Sequence, residues 1–326
     1  MSFLETNMFA RMVERSPFSY TDLAILILTA PKRYKEHHIK KRSGGLRLIA
    51  QPTKELKFVQ RLLISNELSH LKVSEAAAAY VKERSIKEHA EKHAGNRYLL
   101  KLDFKDFFPS ITKDAINRLL IQQTDLSADE RYIACQLLLR SPKKEETLRL
   151  SIGAPSSPFI SNCVMYEFDE KLLGYCQANG ITYSRYADDI ALSTQNPRTL
   201  DPAKAFVEGL LSQLDYLKLS LNPAKTVNVS TKNRRTLTGL VLSNEGTASI
   251  GRDKKRLIRA QVHSMIKGQL STEEAVSLKG HLSFLYSVDK SFVVNLARRY
   301  GLDAKSLMTY RTSSTDSLPP QPDKSS

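Results

Sequence analysis

The chain has 326 residues, of which 41% are hydrophobic and 25% charged, a composition typical of a folded protein with a sizeable core. It carries 49 Lys and Arg against 34 Asp and Glu, and the net charge of +15 favours a polyanionic partner. No apolar run is long enough to cross a bilayer, and the stretch MSFLETNMFARMVER lacks an export pattern, so we expect a cytoplasmic protein without a membrane partner.

The first elements in chain order are predicted to be helices, one hairpin and a basic cluster. Apolar spacing predicts helices over 3–15, 20–29, 53–70 and around 85–93. The stretch YKEHHIKKRSGGLRLIAQP predicts two strands joined through Ser43-Gly44-Gly45. Residues 31–67 contain ten Lys and Arg against three acids, a local net of +7, which favours contact with a phosphate backbone.

The central part of the chain is predicted to alternate helices and strands. RYLLKLD predicts a strand ending at Asp103, and ITYSRY and DIALST predict a pair of strands around Asp188 and Asp189. Helices are predicted over 112–121, 127–140, 158–178 and 201–217, and strands over 226–230 and 236–242. The three cysteines (Cys135, Cys163, Cys176) are odd in number and have no CxxC spacing, so we expect reduced core residues.

The C-terminal part carries a second basic cluster. Residues 232–260 contain eight Lys and Arg against two acids, a net of +6, and three helices are predicted to end near Tyr300. The tail RTSSTDSLPPQPDKSS is polar and proline-rich, which predicts disorder.

Three acidic residues are the main candidates for chemistry. Asp188 and Asp189 are adjacent at a turn, and Asp103 ends an apolar strand just before DFFP. If that strand pairs beside the hairpin, the three carboxylates meet and raise one another's pKa unless cations neutralise them. Two Mg²⁺ ions on these oxygen ligands would remove the repulsion and support phosphoryl transfer. Asp106 lies beyond the strand, so we expect a surface or turn-capping role for it.

The blocks LDFKDFFPSI, GAPSSP, YADD, LNPAKT and LTGL follow in this order over roughly residues 40–245 and resemble the successive motifs of reverse transcriptases. The resemblance implies an α+β right-hand polymerase fold, in which the palm is an antiparallel sheet backed by helices. It also implies RNA-directed DNA polymerase activity, with two Mg²⁺ ions bound by Asp103, Asp188, Asp189 and the backbone of Phe104.

On this resemblance the chain divides into four parts. N-terminal helices and fingers are expected over 1–95, and a palm over 96–245 with fingers elements around 112–150. A helical thumb and RNA-binding region is expected over 246–310, followed by the disordered tail over 311–326.

The resemblance also implies roles for single residues. Arg47 matches the fingers residue that touches the incoming triphosphate, and Lys225 matches a lysine near the leaving pyrophosphate that stabilises charge or acts as a general acid. Phe108 matches an aromatic ring beneath the sugar, where it would clash with a 2′-hydroxyl; a core aromatic is the alternative. Three further substrate contacts are expected, at Phe104, Gly153 and Ala187.

One position departs from many relatives, which have Gln-Gly where this chain has Ile152-Gly153. The glutamine contacts the nucleotide in those relatives, so a hydrogen bond is absent here and substrate discrimination is expected to differ. Gly153 still lets the backbone approach the nucleotide closely. Some bacterial reverse transcriptases resemble this variant, so activity is expected.

Bacterial retron reverse transcriptases are the branch that fits best. They carry an Asn-Ala-x-x-His signature before the LDF block and a Val-Thr-Gly signature later, and this chain has partial matches in HAEKH (89–93) and LTG (237–239). His89 and His93 also have the spacing of zinc ligands, but no third Cys or His lies near them in the sequence. The charges around them predict an exposed helical face.

The retron resemblance implies specific partners. These enzymes copy part of their own structured noncoding RNA from deoxynucleoside triphosphates, priming from the 2′-hydroxyl of an internal guanosine to give a branched RNA–DNA product (msDNA). The basic segment RDKKRLIRA, together with Tyr286, would bind the RNA through five side chains: Arg252, Lys254, Lys255, Arg256 and Arg259. The family context also implies antiphage defence beside an accessory effector protein.

Two alternatives stay open at this point. Another bacterial reverse transcriptase, of the group II intron or diversity-generating kind, would share the metal site but use a different primer and template. A noncatalytic RNA-binding protein could keep the palm fold, although retention of three acids and Lys225 argues against it. An unused cluster of negative charge does not stabilise a fold.

Overall fold

The structure, a computed structural model, describes residues 3–41, 44–142 and 147–310. The chain divides into two units, of which unit 1 comprises Met1–Ser85 and Asn96–Val229. Unit 2 comprises Ile86–Gly95 and Ser230–Ser326. Helices and antiparallel sheets occur side by side, so the α+β prediction is confirmed. The division into fingers, palm and thumb stays a prediction, and both the predicted disordered tail and Ser43 of the predicted turn lie outside the described residues.

The N-terminal helices of unit 1 begin at hydroxyl caps. These helices are α1 (Asn7–Glu14), α2 (Tyr20–Thr29) and α3 (Lys54–Leu63), the last running into a π-helical turn over Ile64–Leu68. Thr6, Ser19 and Thr53 each accept a hydrogen bond from the backbone N–H three residues further on. Such caps satisfy the free N–H groups of a first turn, which is why the helices start there.

Two antiparallel sheets form the rest of the framework of unit 1. Strands β1 (Tyr34–Lys40) and β2 (Leu46–Pro52) pair as the predicted hairpin. The second sheet has the order β4-β5-β3-β6 and consists of β3 (Tyr98–Asp103), β4 (Thr182–Tyr186), β5 (Asp189–Thr194) and β6 (Val227–Ser230). Leu99, Leu100 and Leu102 of β3 are buried, which places this central strand in the core.

Six helices follow in unit 1: α5 (Phe107–Ser110), α6 (Lys113–Gln123), α7 (Ala128–Leu138), α8 (Ser157–Val164), α9 (Tyr166–Ala178) and α10 (Leu200–Gln213). The prediction of one helix over 158–178 was wrong, because the chain breaks at Met165 into α8 and α9. Met165 is fully buried. The break therefore lies inside the core, and no Gly or Pro marks it in the sequence.

Unit 2 combines one helix from the middle of the chain with the C-terminal region. Helix α4 (Ile86–Ala94) packs against a small sheet of β7 (Arg235–Leu237), β8 (Leu240–Leu242) and β9 (Ala248–Ser249). The single strand predicted over 236–242 was wrong, because Thr238 and Gly239, both at positive φ, turn it into a hairpin.

The C-terminal helices are α11 (Arg252–Ile266), α12 (Thr272–Val288), α13 (Lys290–Arg298) and α14 (Ala304–Thr309). Three were predicted, and the short α14, which begins at the capping carboxylate of Asp303, was missed.

The pair His89 and His93 corrects another expectation. Both rings lie on the inner face of α4 and are buried, whereas Lys87 and Glu91 take the outer face and form an i, i+4 ion pair. Burial lowers the pKa of His89 to about 4, and burial with the neighbouring His89 and Lys92 lowers that of His93 to about 3. The prediction of an exposed face was wrong, because the flanking charges belong to the opposite side of the helix.

The cysteines are core residues, as predicted. Cys135, Cys163 and Cys176 are free and buried. Burial raises the pKa of these thiols to about 11, 12 and 12, respectively, so they stay protonated at neutral pH. Among the helices that the structure describes, none combines the length and the apolar character needed to cross a membrane.

Candidate active site

The sheet brings the three candidate acids to one end. Strand β3 pairs with β5 in a register that sets Asp103 opposite Asp189, and the ladder continues where the N–H of Phe104 donates to the carbonyl of Asp188 at 3.1 Å. On the other side, the N–H of Asn222 donates to the carbonyl of Asp103 at 2.7 Å. The predicted meeting of these residues is therefore a consequence of antiparallel pairing.

A tight turn presents the adjacent acids. Tyr186 pairs with Asp189, so Ala187 and Asp188 alone connect β4 to β5. Ala187 has a φ of 57°, in the left-handed region that glycine favours. A residue with a side chain held there costs about 1–3 kcal/mol, so neighbouring groups must fix it.

A buried ion pair holds this turn. Arg185 is fully buried, and its guanidinium donates to both carboxylate oxygens of Asp169 at 2.9 and 2.6 Å. Its remaining terminal nitrogen donates to the carbonyl of Ala187 at 2.9 Å, and the hydroxyl of Tyr183 donates to Asp169 at 2.6 Å. Burial alone would lower the pKa of Arg185, but Asp169 outweighs it and keeps the guanidinium charged. No motif in the sequence points to Asp169 or to this network.

Lys225 forms an ion pair with one acid of the site. Its ammonium lies 2.6 and 2.7 Å from the two oxygens of Asp103, which is nearly buried. The hydrogen bond from Lys225 to Asp103 raises the pKa of this lysine, and the charges of Asp188 and Asp189 add to the effect. Lys225 therefore contacts the acidic cluster through Asp103, and its role at the pyrophosphate stays a prediction.

The other two acids are electrostatically strained. Burial, followed by the charges of Asp188 and Asp103, raises the pKa of Asp189 to about 6. Burial and the charge of Asp103 also raise the pKa of Asp188, opposed by Lys225 and Arg47. Negative charge accumulates at this end of the sheet beyond what Lys225 neutralises.

In the parts of the chain that the structure describes, no group of three or more His, Cys, Asp or Glu side chains surrounds one point where a metal ion could sit. Both oxygens of Asp103 accept from Lys225, so that carboxylate is engaged by an ammonium. Asp106 is exposed with a φ of 42° at the start of α5, and its side chain makes no capping hydrogen bond, so it has a turn position only.

The aromatic candidates fall in different places. Phe104 is buried in the core, stacked on Phe107 with ring centroids 5.7 Å apart, so only its backbone faces the acids. Phe108 is half-buried and touches the ring of Phe107 at 5.3 Å. Phe108 thus extends an aromatic series outward from the core.

A cavity of about 320 Å³ opens in unit 1. Its walls include Phe108, Gly153 and three residues that no motif marked: Lys57, Arg61 and Tyr80. Asp103, Asp188 and Asp189 do not line it; Tyr80 links the two places, because it lines the cavity and the charge of Asp188 raises the pKa of its phenol.

Gly153 joins the cavity wall to the hairpin. It has a φ of 118°, and a Cβ there would lie 3.0 Å from the carbonyl oxygen of Ala50. The carbonyl of Ile152 accepts from the N–H of Ala50 at 2.8 Å. The backbone of Gly153 therefore lies too close to β2, the strand that carries Arg47, for a residue with a side chain to fit there.

Arg47 is exposed on β2, and its charge opposes the rise that burial causes in the pKa of Asp188 and of Tyr80. The predicted contact of Arg47 with a triphosphate stays a prediction. Tyr80 follows the run AAAA, which carries no motif, so no sequence signal pointed to it.

The predicted RNA-binding residues lie on α11 in unit 2. Arg252, Lys254 and Arg256 are exposed. Lys255 forms an ion pair with Asp289 at 2.6 Å and, like Arg259, lies over the ring of Phe292. Lys255 and Arg259 are therefore engaged within unit 2, and the exposed Lys254 also lies over a ring, that of Phe284, at 5.8 Å.

The chain is similar to known reverse transcriptases over most of its length. The family model described as "Reverse transcriptase (RNA-dependent DNA polymerase)" matches residues 39–242. The Retron Ec83 reverse transcriptase of Escherichia coli is 37% identical over 287 residues, covering 87% of this chain and 92% of that protein. The Retron Ec86 reverse transcriptase of the same species is 33% identical over 308 residues, covering 89% of each.

Among solved structures, telomerase from Candida albicans in complex with a fragment of telomeric RNA aligns with a TM-score of 0.47 at 15% identity. The alignment covers 85% of this chain and 56% of that one, a likeness too distant to carry a functional argument.

Proposed function

This chain belongs to the reverse transcriptase (RNA-dependent DNA polymerase) family, in its bacterial retron branch, and from that premise we propose that it copies part of a cognate structured RNA into DNA. Membership confirms the predicted right-hand polymerase fold and the predicted RNA-directed DNA polymerase activity. The observation that carries the proposal is the strand register that sets Asp103 opposite Asp189, next to Asp188.

The acidic cluster fits two Mg²⁺ ions by the chemistry of its donors. Its ligands would be the carboxylate oxygens of Asp103, Asp188 and Asp189, with the backbone of Phe104 beside them, and Mg²⁺ prefers oxygen. The raised pKa values of Asp188 and Asp189 mark an excess of negative charge that cations would relieve. When bound, the ions supply activation of the attacking oxygen and stabilisation of the leaving one.

The remaining residues bind and orient the nucleotide in this proposal. Arg47, exposed near Asp188, binds the triphosphate, and Ala187 sets the course of the acidic turn. Lys225 neutralises Asp103 in the free protein and turns to the pyrophosphate as it leaves, where its charge or proton stabilises the developing oxyanion. Phe108, at the cavity wall, lies beneath the sugar and disfavours a 2′-hydroxyl.

The RNA partner is proposed to lie along α11. Arg252, Lys254 and Arg256 expose their charges on one helix of a protein with a net charge of +15, which suits phosphate contact. Replacing Arg252 and Arg256 by Gln is expected to weaken RNA binding. The slope of log K against the logarithm of the salt concentration should become shallower by roughly 0.7 per lost phosphate contact. Lys204→Gln is the matched control, because Lys204 pairs with Glu208 on α10.

Primer extension tests the activity. With Mg²⁺, deoxynucleoside triphosphates and a primed RNA template, the protein is expected to extend the primer, and chelation of the metal is expected to stop it. No extension on any primed RNA, from a preparation that still binds RNA, would leave a noncatalytic RNA-binding protein.

The bound nucleic acid tests the retron product. We propose that DNA copurifies joined to RNA through a 2′,5′ branch at an internal guanosine, the msDNA of retrons. The DNA is expected to be released only by a 2′,5′-debranching activity or a ribonuclease. Linear DNA with a free 5′ end would point instead to another bacterial reverse transcriptase.

The cellular compartment and the biological role are proposed from the retron relatives. The reaction is placed in the cytoplasm, where three free cysteines stay reduced. The retron relatives further suggest antiphage defence beside an accessory effector protein. Loss of protection against phage on replacing Asp189 by Asn, with the protein still expressed, tests this role.

A further inference from the structure

We propose that Tyr80 is a positioning residue for sugar selection: its ring fixes the ring of Phe108, and through it the preference for deoxynucleotides. The inference rests on the proposed function of Phe108 and deepens it. Four observations carry it: the anchored backbone of Tyr80, the exposure of its ring, its contact with Phe108, and its position near the acidic turn.

The backbone before Tyr80 is anchored to β4, the strand that leads into the acidic turn. The N–H of Ala78 donates to the carbonyl of Arg185 at 2.7 Å, and the N–H of Arg185 donates to the carbonyl of Ala76 at 2.8 Å. The side-chain amide of Asn162 donates to the carbonyl of Ala79 at 2.8 Å. These bonds form a single bridge between Ala77 and Arg185, and Tyr80 follows three residues later, near the turn of the two adjacent acids.

The conformation of Tyr80 is unusual for a bulky residue. Its φ is 61°, in the left-handed region, and its side chain is 52% exposed. Left-handed geometry at a non-glycine residue persists only where the surroundings impose it, and such residues concentrate at functional sites. The anchored segment therefore holds an aromatic ring out of the core, at the wall of the cavity.

The ring of Tyr80 meets that of Phe108. Their centroids are 6.5 Å apart and the planes are inclined by 51°, a tilted aromatic contact. On its other side Phe108 touches Phe107 at 5.3 Å, and Phe107 is buried and stacked on Phe104. The core thus limits Phe108 from one side and Tyr80 limits it from the cavity side.

This arrangement has a consequence for selectivity. A ring excludes a 2′-hydroxyl only if it cannot rotate away when the larger sugar enters. Removing Tyr80 frees the cavity side of Phe108, whereas Phe107 stays in place. Discrimination against ribonucleotides should therefore fall even though Phe108 is still present.

The position of Tyr80 supports this role. Burial and the charge of Asp188 raise the pKa of its phenol, and Arg47 opposes the effect, so the side chain lies among the residues proposed to bind the nucleotide. The aromatic contact needs the ring and not the hydroxyl. Tyr80→Phe should therefore behave as the parent.

The experiment is a double-mutant cycle on the ratio of kcat/KM for a deoxynucleotide to that for the matching ribonucleotide, in primer extension by the full chain. Phe108→Ala is expected to lower the ratio most. Tyr80→Ala and Tyr80→Leu should lower it by roughly tenfold, the scale of a single contact in substrate discrimination. Tyr80→Phe should stay within about twofold of the parent, and Tyr80→Ala with Phe108→Ala should equal Phe108→Ala alone.

The outcomes separate the two hypotheses. If Phe108→Ala leaves the ratio unchanged, the proposed role of Phe108 fails. The positioning role of Tyr80 is overturned if Phe108→Ala lowers the ratio but neither Tyr80→Ala nor Tyr80→Leu does. It is also overturned if the reductions caused by Tyr80→Ala and by Phe108→Ala multiply in the double variant. A purely structural defect would lower kcat/KM for both nucleotides alike and leave the ratio where it was, which also overturns it.

Discussion

Two buried arginines, one in each unit, use the same charge in different ways. Arg185 in unit 1 binds the carboxylate of Asp169 with two hydrogen bonds and gives a third to the backbone of the acidic turn. Arg235 in unit 2 donates to the carbonyl oxygens of Ala94 and Ser243. Asp169 raises the pKa of the first against the effect of burial, whereas burial lowers the pKa of the second.

The two sets of hydrogen-bond partners give the arginines different roles: Arg185 positions the acidic turn, whereas Arg235 joins two elements of unit 2. Arg235 connects the end of α4 to the loop after β8, two segments distant in sequence. Arg185 holds Ala187 in a costly conformation and so determines where Asp188 and Asp189 point. Loss of Arg235 should act through stability, and loss of Arg185 should also act through catalysis.

Replacing the acids that Arg185 positions should have the largest effect. Asp188→Asn or Asp189→Asn is expected to abolish DNA synthesis in primer extension, because the oxygen charge of the site is lost, while RNA binding remains. The pKa of Asp189 is higher in the folded protein than in the unfolded chain, so its ionised form opposes folding and Asp189→Asn should not lower stability. Asp106→Asn, at an exposed turn, is the control and should keep full activity; synthesis by either site variant would contradict the assignment.

Breaking the buried ion pair tests the comparison directly. Asp169→Asn leaves Arg185 buried without a counter-charge and is expected to lower the free energy of unfolding by about 3–5 kcal/mol. Arg235→Lys loses charge-assisted hydrogen bonds to carbonyl oxygens but keeps the positive charge, and the expected cost is about 1–3 kcal/mol. Denaturant unfolding measures both.

Activity per folded molecule then distinguishes the two arginines. At a temperature where both variants are folded, Asp169→Asn should reduce kcat, whereas Arg235→Lys should retain it. An equal loss of kcat in the two variants would show that Arg185 has no effect on catalysis beyond the effect on stability that it shares with Arg235.

A smaller effect is expected where the cavity wall meets β2. Gly153→Ala puts a methyl group 3.0 Å from the carbonyl oxygen of Ala50 and keeps a φ of 118° that residues with a side chain rarely adopt. A destabilisation of about 1–3 kcal/mol is expected, together with a higher KM for the nucleotide because the strand of Arg47 must shift. Gly174→Ala, inside helix α9 where the added Cβ meets nothing within 4 Å, is the matched control: it should leave KM unchanged and raise the stability by about 0.5–1 kcal/mol.

The smallest effect on DNA synthesis is expected at two buried histidines, which should instead make the stability of unit 2 depend on pH. The pKa values of His89 and His93 fall from 6.5 to about 4 and about 3 on folding, so the unfolded chain binds more protons between these values. Their contribution to stability is complete above pH 6.5 and is lost as the pH falls toward 4. The free energy of unfolding should depend less on pH in the variant with both histidines replaced by Gln than in the parent, when measured from pH 7.5 to about 4.5. An identical pH profile in the two proteins would show that the histidines do not cause the dependence.

The sequence predicted the acidic site because strand ends determine it. Asp103 closes an apolar strand and Asp188-Asp189 occupy a hairpin turn, so antiparallel pairing was enough to bring them together. The ion pair of Lys225 with Asp103 could not be inferred, because it depends on a short 3₁₀ turn over Pro223–Lys225 that follows the bridge between Phe104 and Leu221.

The supporting residues were missed for a related reason. Asp169 and Arg185 meet because α9 packs on β4, and neither residue type signals burial in a sequence. Tyr80 follows a run of alanines that carries no motif and joins β4 only through a bridge between Ala77 and Arg185. The burial of His89 and His93 was misjudged because the charges between them occupy the other face of α4.

The three sequestered thiols make site-specific labelling straightforward. With Cys135, Cys163 and Cys176 protonated and inaccessible, a maleimide dye should react only with a cysteine introduced at the surface. A probe placed at exposed Ala260 on α11 would report RNA docking by fluorescence without first removing any native sulfur. The wild-type background can thus serve directly for single-molecule observation of the enzyme at work.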